Sequence, residues 1–548
     1  MNTYFESRFF MTSNSNQPSM PATQASAAQD TTKSAAQDTT KSAGQSTKQS
    51  AGQATTKFSN GTAQWNLRTN LSLLTDFYEL TMANGYNAMG NANQEAIFDV
   101  FFRHIPEQGG YALMAGVEQI VDYLENLHFS EEDLEYLRSL HTFSEEFLEI
   151  LRNFQFSCSV WAVEEGMPIF PGEPIVKVRG PLWQCQLIET MLLICINHQC
   201  LIATKASRVM RAANGRVVME FGARRAQGFD ASVLGARAAY IGGVTGTSCT
   251  IASQLFGIPA MGTMAHSWVQ SFPSQYDAFV AYAKVYPKAC NLLIDTYDTL
   301  RQGIPDAIRC AKEYLEPRGE RLKGVRIDSG DLTYLSVQAR KMLDEAGLQD
   351  CKITVSNGLD EYIISELIRQ GAAVDSFGVG ERLITAKSQP IFGAVYKMAG
   401  METSTGEMKP KMKISNNVEK ITNPGSKIVY RLYDNESGMA VADLICLEGE
   451  TIDPTQPLEI FDPIHTWKRK LLTNFSAKQI LQPIFDHGKC VYTPKKVSEI
   501  RDFAAEQLSH LWETMRRFEN PESYYVDLSE PLWTLKNQML RDLSSHEM

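Results

Sequence analysis

The sequence predicts a mixed α/β protein: an irregular β/α barrel with a smaller α+β domain built from N-terminal and C-terminal segments. Two observations carry that expectation. Apolar runs of strand length recur, each ending in a polar or glycine-bearing tip, and stretches with helical spacing separate them. The tips hold arginine, aspartate, histidine and glycine, residue types suited to the mouth that parallel strands form at their carboxyl ends in such a barrel.

Residues 1–62 stand apart. The unit Ala27-Ala-Gln-Asp-Thr-Thr-Lys-Ser34 repeats at 35–42 and decays through 43–50 and 51–58, with almost no large apolar residue to bury. Such a segment reads as a disordered, solvated tail. Its Ser/Thr-rich start would also suit a targeting segment, but Arg8 is its only arginine and no secretory apolar core is present.

Residues 63–180 read as an N-terminal α+β domain. Leu73-Leu-Thr-Asp-Phe-Tyr-Glu-Leu-Thr-Met82 opens a short helix that Thr75 or Asp76 can cap, exposing Tyr78 near a loop. In Glu165-Gly-Met-Pro-Ile-Phe-Pro-Gly-Glu-Pro-Ile-Val-Lys-Val-Arg179, Pro and Gly separate short strands. A long apolar-faced helix over about 182–213 leads into the barrel, placed at 181–390.

Six apolar runs with polar tips supply the barrel strands: Val217-Val-Met-Glu-Phe-Gly-Ala-Arg224, Ala260-Met-Gly-Thr-Met-Ala-His266, Leu292-Leu-Ile-Asp-Thr-Tyr-Asp298, Gly324-Val-Arg-Ile-Asp-Ser-Gly-Asp331, Ile353-Thr-Val-Ser-Asn-Gly358 and Asp375-Ser-Phe-Gly-Val-Gly380. Helical spacing follows in Ile304, Ile308, Ala311 and Leu315, in Leu332, Leu335, Ala339 and Leu343, and in Ile363, Ile364, Leu367 and Ile368. Residues 391–548 form a β-rich and helical C-terminal segment, with strands near 392–398, 411–414 and 428–432 and helices from about 498 to 542. These pieces either return to the small domain or buttress the barrel.

A net charge of −11 over 548 residues argues against a nucleic-acid backbone as partner, while a small anion needs only a local arginine cluster. No stretch is long and apolar enough to span a bilayer. Ten cysteines without a CxxC pair are expected to be reduced and mostly buried in a cytoplasmic protein.

Cation, carboxylates and flexible backbone at a strand exit, as in residues 324–331, suit a polyanion and its Mg2+. Arg326 and Asp328 lie two apart in a strand, so their side chains share a face. They can serve a ligand or form a salt bridge with each other.

The chain resembles nicotinate phosphoribosyltransferases of the type II phosphoribosyltransferase group. Leu74-Thr-Asp-Phe-Tyr-Glu-Leu-Thr-Met, Glu220-Phe-Gly-Ala-Arg-Arg-Ala-Gln-Gly, Gly262-Thr-Met-Ala-His-Ser-Trp, Gly324-Val-Arg-Ile-Asp-Ser-Gly-Asp and Ser356-Asn-Gly-Leu-Asp-Glu occur in the family's order over residues 65–542. The resemblance implies that nicotinate and phosphoribosyl pyrophosphate yield nicotinate mononucleotide and pyrophosphate, with ATP as co-substrate, in NAD salvage.

It also implies roles. His266 accepts the ATP γ-phosphate, since an unprotonated imidazole is nucleophilic near neutral pH. Asp295 orients that ring or caps a helix. Arg326 faces the pyrophosphate, and Asp328 the ribose hydroxyls or magnesium. Asn357, Gly358, Gly378 and Gly380 give donors for the 5′-phosphate. Tyr78 and Phe221 flank the pyridine ring, with Tyr78 from a neighbouring subunit of a homodimer. Arg224 lies nearby on phosphate or carboxylate, and Arg225 can exchange with it. The turn 242–248, with Thr247, offers hydroxyls and no acid, which suits nicotinate over nicotinamide. The metal ligands are left open. Alternatives are a nicotinamide or quinolinate phosphoribosyltransferase and, more remotely, a non-catalytic barrel that binds a partner.

Overall fold

A computed structural model describes residues 70–544, so the repetitive tail expected at 1–62 lies outside the described residues. Six strands form an all-parallel sheet: β1 (Val217–Glu220), β2 (Gly246–Thr247), β3 (Asn291–Leu293), β4 (Gly324–Ile327), β5 (Lys352–Ser356) and β6 (Ser376–Val379), ordered β2-β1-β6-β5-β4-β3. β1 thus adjoins both β2 and β6, the neighbour order of a ring interrupted between β2 and β3. Among the described residues no ladder closes that gap. Beyond β2 only a parallel bridge from Thr247 to Ala260 continues the sheet.

Side chains alternate across the sheet and divide the labour between its faces. Val218, Phe377, Val355 and Ile327 stand side by side in register across β1, β6, β5 and β4, all without solvent exposure. The opposite face carries Arg326, Thr354 and Ser376 in register. Apolar residues therefore pack one side, while Arg326, Thr354 and Ser376 put polar groups on the other.

Helices follow the strands as the apolar spacing requires: Phe229–Ile241, Thr250–Phe256, Ile304–Cys310, Leu332–Glu345 and Glu361–Arg369. Ahead of Ile304–Cys310 the turn Thr299–Gly303 widens to π geometry, and Gly303 approaches so closely that a Cβ there would lie 1.8 Å from the Ile294 carbonyl oxygen.

Five of the six expected apolar runs are strands. The sixth, 260–266, is coil through residue 265 apart from the Ala260 bridge, His266 opens the helix His266–Gln270, and β2 takes the expected strand's place in the sheet. Likewise, the strand expected at 411–414 is Met408–Pro410, a sheet edge followed by non-strand chain through Lys411, Met412 and Lys413. Proline and lysines blunt such an edge against further pairing.

The C-terminal segment does return to the N-terminal one. Glu95–Phe101 pairs antiparallel with Val176–Pro181 on one side and Val395–Glu402 on the other, within a seven-stranded sheet that also includes Ser159–Val163 and Leu481–Asp486. A four-stranded sheet of Phe475–Gln479, Lys427–Asp434, Ala440–Leu447 and Val526–Leu528 joins it through the buried ion pair of Lys427 with Asp99 at 2.7 Å. The helix expected over about 182–213 is two, Leu182–Leu187 and Glu189–Ala212. All ten cysteines are free, nine of them buried. Among the described residues no helix is long and apolar enough to cross a membrane.

Candidate active site

Arg326, near the end of β4, gathers the strand tips. Its Nε donates to Ser356 Oγ at 2.9 Å, Nη1 to Thr263 Oγ1 at 3.1 Å and Nη2 to Asp328 Oδ1 at 2.9 Å, and the guanidinium lies 5.5 Å from the Phe221 ring centre. One planar cation thereby touches residues just after β1 and β4, at the end of β5 and in the 260–265 segment. The salt bridge with Asp328 confirms that the two side chains point the same way. Ser356 also donates to Asp328 Oδ1.

Asp295, two residues beyond β3, accepts the Asp328 backbone N–H at 2.8 Å and the Ser329 hydroxyl at 2.7 Å on one carboxylate oxygen. Its other oxygen is buried without a hydrogen bond. The imidazole of His266, which Asp295 was expected to orient, is instead contacted at Nδ1 by Thr296 Oγ1 at 3.1 Å, and Nε2 stands 4.0 Å from Asp328 Oδ2. Thr296, the residue next to Asp295 in the loop beyond β3, reaches the ring in its place.

Asn357 and Gly358 follow β5 with φ of 82° and 65°, consecutive left-handed residues of the kind that turn backbone N–H groups toward an anion. Both are exposed. The next residue but one, Asp360, caps Glu361–Arg369 by accepting the Ile363 N–H at 2.9 Å. Beneath that helix start the buried Glu361 pairs with Lys205 at 2.9 Å and Arg208 at 2.8 Å. Gly378 has a packing explanation: a Cβ there would meet the Phe221 ring at 2.6 Å. At Gly380 a Cβ would stand 3.0 Å from the Phe221 carbonyl oxygen.

Thr247 does not face the mouth. It lies in register with Glu220, on the face opposite Arg326, is fully buried, and donates its hydroxyl to Glu220 Oε2 at 2.6 Å. The same hydroxyl oxygen accepts the Cys249 N–H at 2.9 Å, so its one donor and one of its lone pairs are already engaged. Burial pushes the Glu220 carboxyl up, against the pull of Thr247 and the Gly222 N–H.

Arg224 and Arg225 are exposed on the turn Ala223–Arg225, with Arg225 3.9 Å from Glu381. Tyr78 is half-exposed on the helix Phe77–Ala88 beside Glu189. Burial first, then that carboxylate, holds its phenol above the ordinary range. Sequence reasoning passed over Thr263, Thr296, Ser329, Ser356 and Glu220, although each lies within or beside a run singled out for its charged residues.

The geometry defines an α/β protein that gathers an arginine, carboxylates and hydroxyls at the ends of parallel strands. Three family models match: the nicotinate phosphoribosyltransferase N-terminal domain over residues 73–197, the nicotinate phosphoribosyltransferase family over 217–452 and its C-terminal domain over 426–536. The chain is 46% identical over 478 residues to a nicotinate phosphoribosyltransferase of Bacillus subtilis, covering 87% of this chain and 96% of that protein. It is 32% identical to the human nicotinate phosphoribosyltransferase, covering 85% and 96%. The crystal structure of human nicotinic acid phosphoribosyltransferase superposes with a TM-score of 0.76 at 30% identity, covering 85% of this chain and 99% of that one. The chain belongs to the nicotinate phosphoribosyltransferase family.

Proposed function

We propose that this enzyme joins nicotinate to the phosphoribosyl group of phosphoribosyl pyrophosphate, releasing pyrophosphate, and that ATP hydrolysis through His266 is coupled to the transfer. Family membership gives the reaction class. The gathering of four chain segments on Arg326 is the observation that carries the site assignment.

The pyridine nitrogen displaces pyrophosphate from the anomeric carbon through a state with oxocarbenium character, so binding must hold the ring in line and neutralise the leaving group. Arg326, already fixed by Ser356, Thr263 and Asp328, needs little reordering to meet a phosphate. Asp328 serves the ribose hydroxyls. Asn357 and Gly358 receive the 5′-phosphate, and Phe221, seated in the space Gly378 leaves, supports one face of the pyridine. Arg224, with no carboxylate partner among the described residues, takes the nicotinate carboxylate or a phosphate.

His266 is the phosphate acceptor. With Nδ1 donating to Thr296, Nε2 keeps its lone pair, attacks the γ-phosphorus and displaces ADP. Water later cleaves the phosphoramidate. Asp328, 4.0 Å away, links the state of His266 to the ribose side of the site.

Asp295 and Asp328 fit a magnesium ion that arrives with its phosphates. Asp295 holds a buried carboxylate oxygen with no hydrogen bond, and no cluster of three or more His, Cys, Asp or Glu forms a dedicated cage among the described residues. When bound, the ion neutralises phosphate charge.

The ring-like neighbour order supports a β/α barrel of the type II phosphoribosyltransferase kind over 181–390, with the small domain from 63–180 and from 391 onward. A homodimer with Tyr78 supplied in trans is favoured by the exposed Leu74, Phe77, Tyr78 and Met82, apolar surface beginning at the first described helix. A cytoplasmic location accords with the ten free thiols.

The test is turnover of nicotinate, nicotinamide and quinolinate with phosphoribosyl pyrophosphate. Nicotinate must have the highest kcat/KM; equal or faster use of either rival would replace this reading by that substrate.

A further inference from the structure

Away from the strand tips, the seven-stranded sheet and the C-terminal segment line a half-open cavity of about 400 Å³, within the size range of small-molecule sites. None of Arg326, Asp328, His266 or Phe221 lines it. Its walls are largely apolar, with Phe101, Leu528 and Trp533 among them, and they also carry charged side chains.

The charges do not balance: Arg103, Lys397, Lys427 and Lys536 line the cavity against Asp99 and Glu419. Lys427 is satisfied: it pairs with Asp99 at 2.7 Å and donates to the carbonyls of Asn423 at 2.9 Å and Gly425 at 2.6 Å. Lys536, on the helix Glu530–Ser544, has no carboxylate within salt-bridge distance among the described residues. Its one hydrogen bond goes to the neutral Asn423 Oδ1 at 2.8 Å. An ammonium carries three donors, and holding one half-buried beside a second lysine without a counter-charge is costly. Burial, then Lys427, lowers its affinity for the proton, the direction an anion would reverse. The lining also holds an unused acceptor, since Asp99 Oδ1 is buried with no hydrogen bond.

We propose that this cavity binds a compact organic anion, its apolar body against Trp533 and Leu528 and its carboxylate, sulfonate or phosphate head on Lys536. A donor group on the same ligand would satisfy Asp99. The site is separate from the transferase mouth and does not depend on the assignments made there.

The probe is naphthalene-1-sulfonate, titrated calorimetrically into the full chain with nicotinate and phosphoribosyl pyrophosphate at saturation, alongside the uncharged 1-naphthol. About one sulfonate per chain is expected. Lys536→Met should weaken it about tenfold, the loss of a single charge-assisted contact, while leaving 1-naphthol binding and nicotinate turnover unchanged. Lys536→Arg should retain it. Absence of binding at millimolar probe, binding indifferent to Lys536→Met, or binding abolished by the two substrates would each overturn the proposal.

Discussion

Asp295 accepts the backbone N–H of Asp328 at 2.8 Å, so the carboxylate at the exit of one strand fixes the position of the carboxylate at the exit of the next. Because Asp328 in turn holds Arg326 at 2.9 Å, a side chain expected to serve the histidine instead aligns the residues proposed to meet the phosphoribosyl donor.

Asp295→Ala strips the acceptor from the Asp328 N–H and the Ser329 hydroxyl, and each group left unpaired costs about 1–3 kcal/mol. The expected result is a KM for phosphoribosyl pyrophosphate raised about tenfold. Asp295→Asn, whose amide oxygen still accepts, should suffer far less. Steady-state kinetics at varied donor concentration decides; equal damage in both variants would mean that charge, not alignment, is what Asp295 supplies.

Gly378→Ala pushes a methyl group to 2.6 Å from the Phe221 ring. Overpacking of this kind costs about 1–3 kcal/mol, which a lowered Tm reads. The displaced ring should raise the KM for nicotinate more than that for phosphoribosyl pyrophosphate. A variant with both constants unchanged would remove Phe221 from the pyridine.

Thr247→Val keeps the side-chain shape while taking the donor from Glu220 and the acceptor from the Cys249 N–H. Thermal unfolding should show a loss of about 1–3 kcal/mol. The preference for nicotinate over nicotinamide should not move, because the hydroxyl faces away from the mouth. A changed preference would restore Thr247 to the ligand.

Glu79 is fully buried and accepts from Thr75 and Thr190, and burial raises its pKa from 4.5 to about 7 despite those bonds, with Glu189 adding to the rise. The folded chain therefore holds this proton more tightly than the unfolded one. Its stabilisation is complete below about pH 4.5 and is lost as pH rises through about 7. Between pH 5 and 8 the native protein should lose stability, of order 1 kcal/mol from this group, and Glu79→Gln should flatten that slope. Parallel curves for the two proteins in denaturant titrations would contradict the assignment.

The strands were legible where short, largely buried runs end in charge, as in Val217–Glu220 and Gly324–Ile327, because the core-facing side of each is apolar. Gly246–Thr247 was not, since two residues carry no period, and 260–266 imitated a strand through composition alone. Arg326 with Asp328 followed from the two-residue repeat. The partners Ser356, Thr263 and Thr296 did not, because they depend on which strands become neighbours and in what register. The same ignorance of register turned Thr247 toward the ligand, when its pairing with Glu220 turns it away.

The central claim, an ATP-coupled transferase working through His266, is tested most directly by measuring nicotinate mononucleotide formed from nicotinate and phosphoribosyl pyrophosphate, with and without Mg-ATP, by the native protein and by His266→Ala. The account predicts product from the native protein, stimulated by ATP, with the stimulation lost in the variant. Product formation indifferent to ATP, or stimulation that survives His266→Ala, would contradict it.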